Sequence, residues 1–179
     1  MKFIYAQRGK IVALWALFLL WPVGSMQSWA WIAVLALGLF LRVWARSVMG
    51  EHSRGNVHAA PRLVQTGPYS LMPHPLYVSN ALVAGAGVLI SGWPAGVKAV
   101  WWLALVAFYS LLARAENRFL QQSFGAEWHQ WRRSFSVRKL GGELRRTAWG
   151  RALRQDAWTW FWLGLFLMLW YGRTQCFGA

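Results

Sequence analysis

The chain has 179 residues, of which 57% are hydrophobic and 17% aromatic, with fifteen Trp, 19 Lys and Arg against 5 Asp and Glu, and a net charge of +14. With so few acidic residues and a positive mean hydropathy, it cannot fold as an ordinary soluble domain without exposing wide apolar patches. The single cysteine, Cys176, excludes a disulfide framework, and no two histidines stand at metal-ligand spacing, so no metal is expected.

Basic charge of this size can mean nucleic acid, but its distribution points to a membrane instead. Lys2, Arg8 and Lys10 precede the first apolar run, and Arg42, Arg46, Arg54 and Arg62 lie at or after the end of the second. Ten more fall within residues 114–154, which accounts for seventeen of the nineteen. The turns at 24–28 and 91–96 carry no charge. That asymmetry follows the positive-inside rule and predicts an integral membrane protein with its N-terminus in the cytoplasm and its C-terminus outside. The expected partner of the basic loops is an anionic leaflet, not nucleic acid.

Taken in chain order, five apolar stretches read as membrane spans: 11–23, 29–48, 76–90, 97–112 and 157–171. The expected fold is therefore all-α and polytopic, with about five transmembrane helices and cytoplasmic amphipathic helices. The first stretch reads as a retained anchor, because no small-residue cleavage site follows Pro22 before the second run begins at Trp29. Several stretches fall short of the roughly 20 residues a perpendicular span needs, and interfacial Trp or extension into the headgroups must supply the length. Three regions follow: a hairpin at 1–50, a core of loop, two spans and amphipathic helix at 51–137, and an interfacial helix with a last span at 138–179.

The stretch 50–75 holds four prolines and no hydrophobic period, and reads as an irregular loop on the membrane surface. Gly85 and Gly87 in the third span permit close helix packing, within or between chains. Beyond Arg114, Leu120, Phe124, Trp128, Trp131 and Phe135 recur at helical spacing, so the fourth span should continue as an amphipathic helix, bent near Gly125. A second basic amphipathic piece at 144–155, with Leu144, Ala148, Ala152 and Leu153 on one side, reads as an interfacial helix.

Ionisable residues beside spans need a reason, and His74 and Glu116 both fall where two spans meet the same aqueous face. They read as one site. Glu116 is a carboxylate at the inner end of a span, with a surface ion pair to Arg114 or Arg118 as its alternative. His74 precedes Pro75 and either caps the helix or stands in the site. Tyr69 and Tyr77 offer hydroxyls and ring faces, or belong to an interfacial aromatic belt. Asn80, one turn deeper than Tyr77, lines the pocket or bonds a neighbouring helix.

The order Asn56-x-His58, Leu63-Val64, Gly67-Pro68-Tyr69, His74-Pro75-Leu76-Tyr77, two spans, Glu116 with Phe119-Leu120, and Phe124-Gly125-Ala126-Glu127-Trp128 resembles the integral-membrane methyltransferases. That superfamily includes isoprenylcysteine carboxyl methyltransferases and phospholipid methyltransferases. The resemblance covers residues 46–137, and the ordered combination carries more than any piece of it. It implies a helical membrane domain that binds S-adenosylmethionine from the cytosol and meets a lipid or other lipophilic acceptor. By resemblance His74, Tyr77 and Glu116 are the catalytic candidates. Tyr69, Asn117, Leu120 and Trp128 join His74 and Glu116 around the cofactor, with Glu116 on its amino group or ribose. Asn56, His58, Asn80 and Arg114 are candidate substrate contacts. Protein partners are not indicated.

Two positions depart from the pattern. The family usually has Arg directly before His-Pro, where this chain has Pro73, and two adjacent glutamates, where the second is Asn117. Losing that arginine removes a bidentate partner for a carboxylate or phosphate, for which Arg62, Arg114 and Arg118 are substitutes in sequence terms. The expected chemistry is in-line transfer of a sulfonium methyl to an oxygen, nitrogen or sulfur at the acceptor's polar end, which needs alignment, exclusion of water, and a base only for a protonated acceptor. Two alternatives stay open: an NADPH-dependent membrane enone or sterol reductase, which shares a similar Gly-Pro-Tyr and His-Pro-x-Tyr arrangement, and a non-catalytic scaffold derived from the methyltransferase fold.

Overall fold

The computed structural model describes residues 29–49, 62–136, 140–145 and 149–177. The expected first span at 11–23 and the loop residues Asn56 and His58 lie outside them. The described residues form helices and no strand: α1 (Ala30–Met49), a 3-10 turn (Gly67–Ser70), α2 (Pro75–Ile90), α3 (Ala95–Arg133), α4 (Leu140–Arg145), α5 (Trp149–Gln155) and α6 (Ala157–Phe177). Helices α1 and α3 are long and apolar enough to cross a membrane, and α2 is apolar but shorter. Trp29 just ahead of α1 and Leu37 on it, Val100 and Leu103 on α3, and Trp158, Trp162 and Met168 on α6 present exposed apolar side chains. An apolar exterior on helices whose backbones are internally hydrogen-bonded suits lipid, not water.

Lipid supplies no hydrophobic drive between helices, so small residues and polar contacts must hold the bundle together. They do so on both faces of α2. A Cβ on Gly38 of α1 would meet Leu82 and Val83 at 3.0 Å, and the buried Ser79 hydroxyl donates to the Gly38 carbonyl at 2.8 Å. On the opposite face, a Cβ on Gly85 would lie 2.3 Å from the Trp102 ring of α3. The close packing that Gly85 permits is thus within the chain.

Helix α3 bends at Gly125, whose φ of 46° and ψ of −114° leave the helical region, as the sequence leads one to expect. Past the bend, Trp131 is 2% exposed and its indole N–H donates to the Tyr69 carbonyl at 2.9 Å. The Ser136 amide donates to the Ser70 carbonyl at 3.2 Å, and Glu143 of α4 accepts from the Gly67 amide at 2.5 Å. The 3-10 turn is therefore held from three sides by later chain. Gly67 has a φ of 61° and sits against Val48, where a side chain would be both strained and crowded. Ala45, Leu63, Tyr69, Leu120 and Trp131 form the core beneath the turn.

A charged cluster ties α6 to α1 and α2. Asp156, 2% exposed, accepts from Arg42 through both carboxylate oxygens and from Arg46 at 3.2 and 3.3 Å. Arg42 also donates to Asn80 at 2.5 Å and to Thr159 at 2.8 Å. Burial opposes the Asp156 charge, but the hydrogen bond and charge of Arg42, the charge of Arg46 and the Thr159 hydrogen bond outweigh it and lower the pKa. The basic piece at 144–155 contributes two short helices. Ala152 is buried there while Leu153, expected on the same side, is exposed, since adjacent helical residues point about 100° apart.

Gly85→Val is expected to lower the thermal unfolding midpoint of detergent-solubilised protein, at a cost of about 1–3 kcal/mol for overpacking. Gly96→Ala, where nothing lies within 4 Å, is the steric control. Asp156→Ala should destabilise by about 3–5 kcal/mol by leaving two arginines uncompensated. Because the folded pKa of Asp156 lies below its unfolded value, its contribution is complete above the unfolded value and is lost as pH falls through the folded one. An acid titration of stability, wild type against Asp156→Asn, should show that loss only in the wild type.

Candidate active site

Pro75 occupies the first position of α2, which leaves His74 as its N-cap, with its carbonyl accepting from the Tyr77 and Val78 amides. The imidazole makes no capping bond. It turns instead to α3, where Nε2 lies 3.0 Å from Asn117 Oδ1 and Nδ1 lies 3.7 Å from Glu116 Oε2. The first is a hydrogen bond and the second an ion-pair distance without one. His74 and Glu116 thus meet across two helices, and neither Arg114 nor Arg118 pairs with Glu116 among the described residues.

The Tyr77 ring stacks on His74, with centroids 5.5 Å apart and planes at 21°, and on Tyr109 at 5.6 Å and 29°. Tyr109 is buried between Leu105 and Leu112, so the stack runs from the polar end of α2 into the apolar part of the helix pair. Tyr109 was not foreseen, although it stands seven residues before Glu116 on the same face of α3. Burial lowers the His74 pKa most, Glu116 and the Asn117 hydrogen bond push it up, and Arg132 pushes it down. The net shift is downward, which makes the ring neutral at pH 7. Arg132 belongs to the arm beyond Gly125 and was also missed, because nothing in the local sequence says that this arm folds back.

The other predicted residues divide. Trp128 is part-buried in the core beside the site, and its indole N–H has no partner among the described residues. Leu120 and Tyr69 are core residues, and the Tyr69 hydroxyl rests on Met49 Sδ at 2.8 Å. Asn80 faces away, toward Arg42. Arg114 is exposed on α3. Glu127 accepts from Gln65 at 2.7 Å on the surface. Among the described residues no group of His, Cys, Asp and Glu could hold a metal.

A family model described as phospholipid methyltransferase matches residues 26–127, which include His74, Tyr77, Glu116 and Asn117. The chain belongs to the phospholipid methyltransferase family. The family is one of membrane methyltransferases, in keeping with the two long apolar helices. The chain is also similar to the cobalt-zinc-cadmium resistance protein CzcN of Cupriavidus metallidurans, at 44% identity over 63 residues, 35% of this chain and 28% of that protein. It therefore spans well under two thirds of that relative. No solved structure matches.

Histidine-selective NMR of solubilised protein should show the His74 midpoint below that of a free imidazole. Glu116→Gln, by removing the attraction that favours the charged ring, should move it further down, and Arg132→Gln should move it up. Unchanged midpoints in both variants would contradict the arrangement of charge described above.

Proposed function

We propose that this chain transfers the methyl group of S-adenosylmethionine to the polar end of a membrane-embedded lipid or isoprenoid acceptor. The observation that carries this reading is the meeting of His74 with Glu116 and Asn117 at the head of a tyrosine stack, in a chain of this family. The residues suit the cofactor chemically. Glu116 offers a carboxylate for its amino group, and Trp128, whose indole N–H has no partner among the described residues, a donor beside the site. When bound, the cofactor supplies an electrophilic methyl group. The chain's own work is to align the acceptor, exclude water, and remove a proton where the acceptor carries one. His74, neutral at pH 7, can accept that proton, and a carboxylate or phosphate acceptor would not need it.

In this reading the chain crosses the membrane about five times, the site opens to the cytoplasm, and Arg114, Asn56 and His58 are candidate acceptor contacts. The density of arginine in the inner loops favours an anionic headgroup. Equilibrium binding of S-adenosylhomocysteine to solubilised protein tests the reading, with NADPH as competitor. Wild type should bind, and Glu116→Ala and His74→Ala should each weaken binding roughly tenfold or more, as expected for loss of a charged or a buried hydrogen-bond partner. Binding of NADPH instead would favour the reductase, and binding of neither by folded protein would favour the scaffold.

A further inference from the structure

Arg132 stands on the arm beyond Gly125, which packs against the turn that leads into His74. Four carboxylates lie among the described residues, and each is engaged elsewhere: Glu127 with Gln65, Glu143 with the Gly67 amide, Asp156 with Arg42 and Arg46, and Glu116 facing His74. None pairs with Arg132. Its guanidinium is nevertheless held, with its central carbon 5.6 Å from the Trp128 ring centroid and 5.7 Å from that of Phe135. The backbone beneath it is fixed too, because the neighbouring Trp131 is bonded to the Tyr69 carbonyl and Ser136 to the Ser70 carbonyl. These contacts set the arm beside the turn that leads into His74.

Arg132 and Glu116 act on the same imidazole with opposite sign, yet form no ion pair with one another among the described residues. Trp128, over which Arg132 lies, packs in the same cluster as Leu76 and Leu120, which follow His74 and Glu116 on their helices, so a cation and a carboxylate stand about one site without pairing. Such a site complements a zwitterion, whose ammonium seeks the carboxylate and whose carboxylate seeks the guanidinium.

Resting on the cofactor reading above, we propose that Arg132 binds the carboxylate of the amino-acid end of S-adenosylmethionine, opposite Glu116 on its ammonium. Stacking on Trp128 and Phe135 pre-organises the planar fork, which lowers the entropy lost on pairing with a carboxylate. Arg133, one residue further along and also exposed, lies over neither ring.

The test compares S-adenosylhomocysteine with its decarboxylated analogue, which keeps the amine and adenosine, on solubilised wild type, Arg132→Gln, Arg132→Lys and Arg133→Gln. Arg132→Gln should lose roughly tenfold or more in affinity for S-adenosylhomocysteine and bind the decarboxylated analogue as wild type does. Arg132→Lys should fall between, and Arg133→Gln should match wild type for both ligands. Equal loss for both ligands, equal loss in Arg133→Gln, or no loss in Arg132→Gln would each overturn the assignment, the last including the case in which Arg132 serves a lipid anion instead. A wild type that binds neither ligand would instead refute the cofactor reading itself.

Discussion

The Trp102 ring lies where Gly85 has no side chain, and much of the molecule follows from that contact. It brings α2 and α3 close enough that their register is set by fit, with the antiparallel pair meeting again where Tyr77 stacks on Tyr109 and where His74 reaches Glu116 and Asn117. A shift of one residue along either helix would turn the imidazole away from both partners. In lipid, where apolar contact between helices gains little over contact with acyl chains, close packing of this kind is the available way to specify register. The polar end of the pair is then an outcome of packing some three turns deeper.

Polar contacts fix the rest. Asp156 with Arg42 and Arg46 joins the start of α6 to α1, and through Asn80 the same arginine reaches α2. The face of α2 away from His74 is thereby held by hydrogen bonds while the near face is held by rings. Helix α2 is clamped between a charged network and an aromatic one, and the imidazole at its head has little freedom to move relative to α3. Rigid elements of this kind are what a site needs when its task is alignment more than bond-making.

The kinds of element were legible in the sequence because periodicity and glycine chemistry are local. The bend at Gly125 and the pairing of His74 with Glu116 could be read from spacing and from the cost of ionisable groups beside apolar spans. The Asp156 cluster could not, since its partners stand 114 and 110 residues away and a lone aspartate ahead of a span looks like a helix cap. Tyr69 and Leu120, read as cofactor contacts from the resemblance, are core residues here, because the later chain folds over the 3-10 turn and covers them. Asn80 left both of its alternatives open, and its amide is taken by a neighbouring helix. Arg132 and Tyr109 escaped notice for one reason: each gains meaning only from which helix its own helix packs against.

Asn117 in place of a second glutamate looks in sequence like a lost function, but the geometry gives it a different meaning. It lies 3.0 Å from His74 Nε2, near enough that a carboxylate there would favour the protonated ring strongly. With Glu116 already on the other nitrogen, two carboxylates would hold an imidazolium between them. An amide keeps the hydrogen bond and the orientation of the ring while leaving out the second charge, so burial prevails and the histidine stays neutral. A neutral ring can take a proton, and in the proposed function it would not repel the cofactor's sulfonium. The departure at 117 therefore leaves out a charge that would favour the protonated ring without dismantling the site, and among the described residues Arg132, from the arm beyond Gly125, is a cation that lowers the His74 pKa.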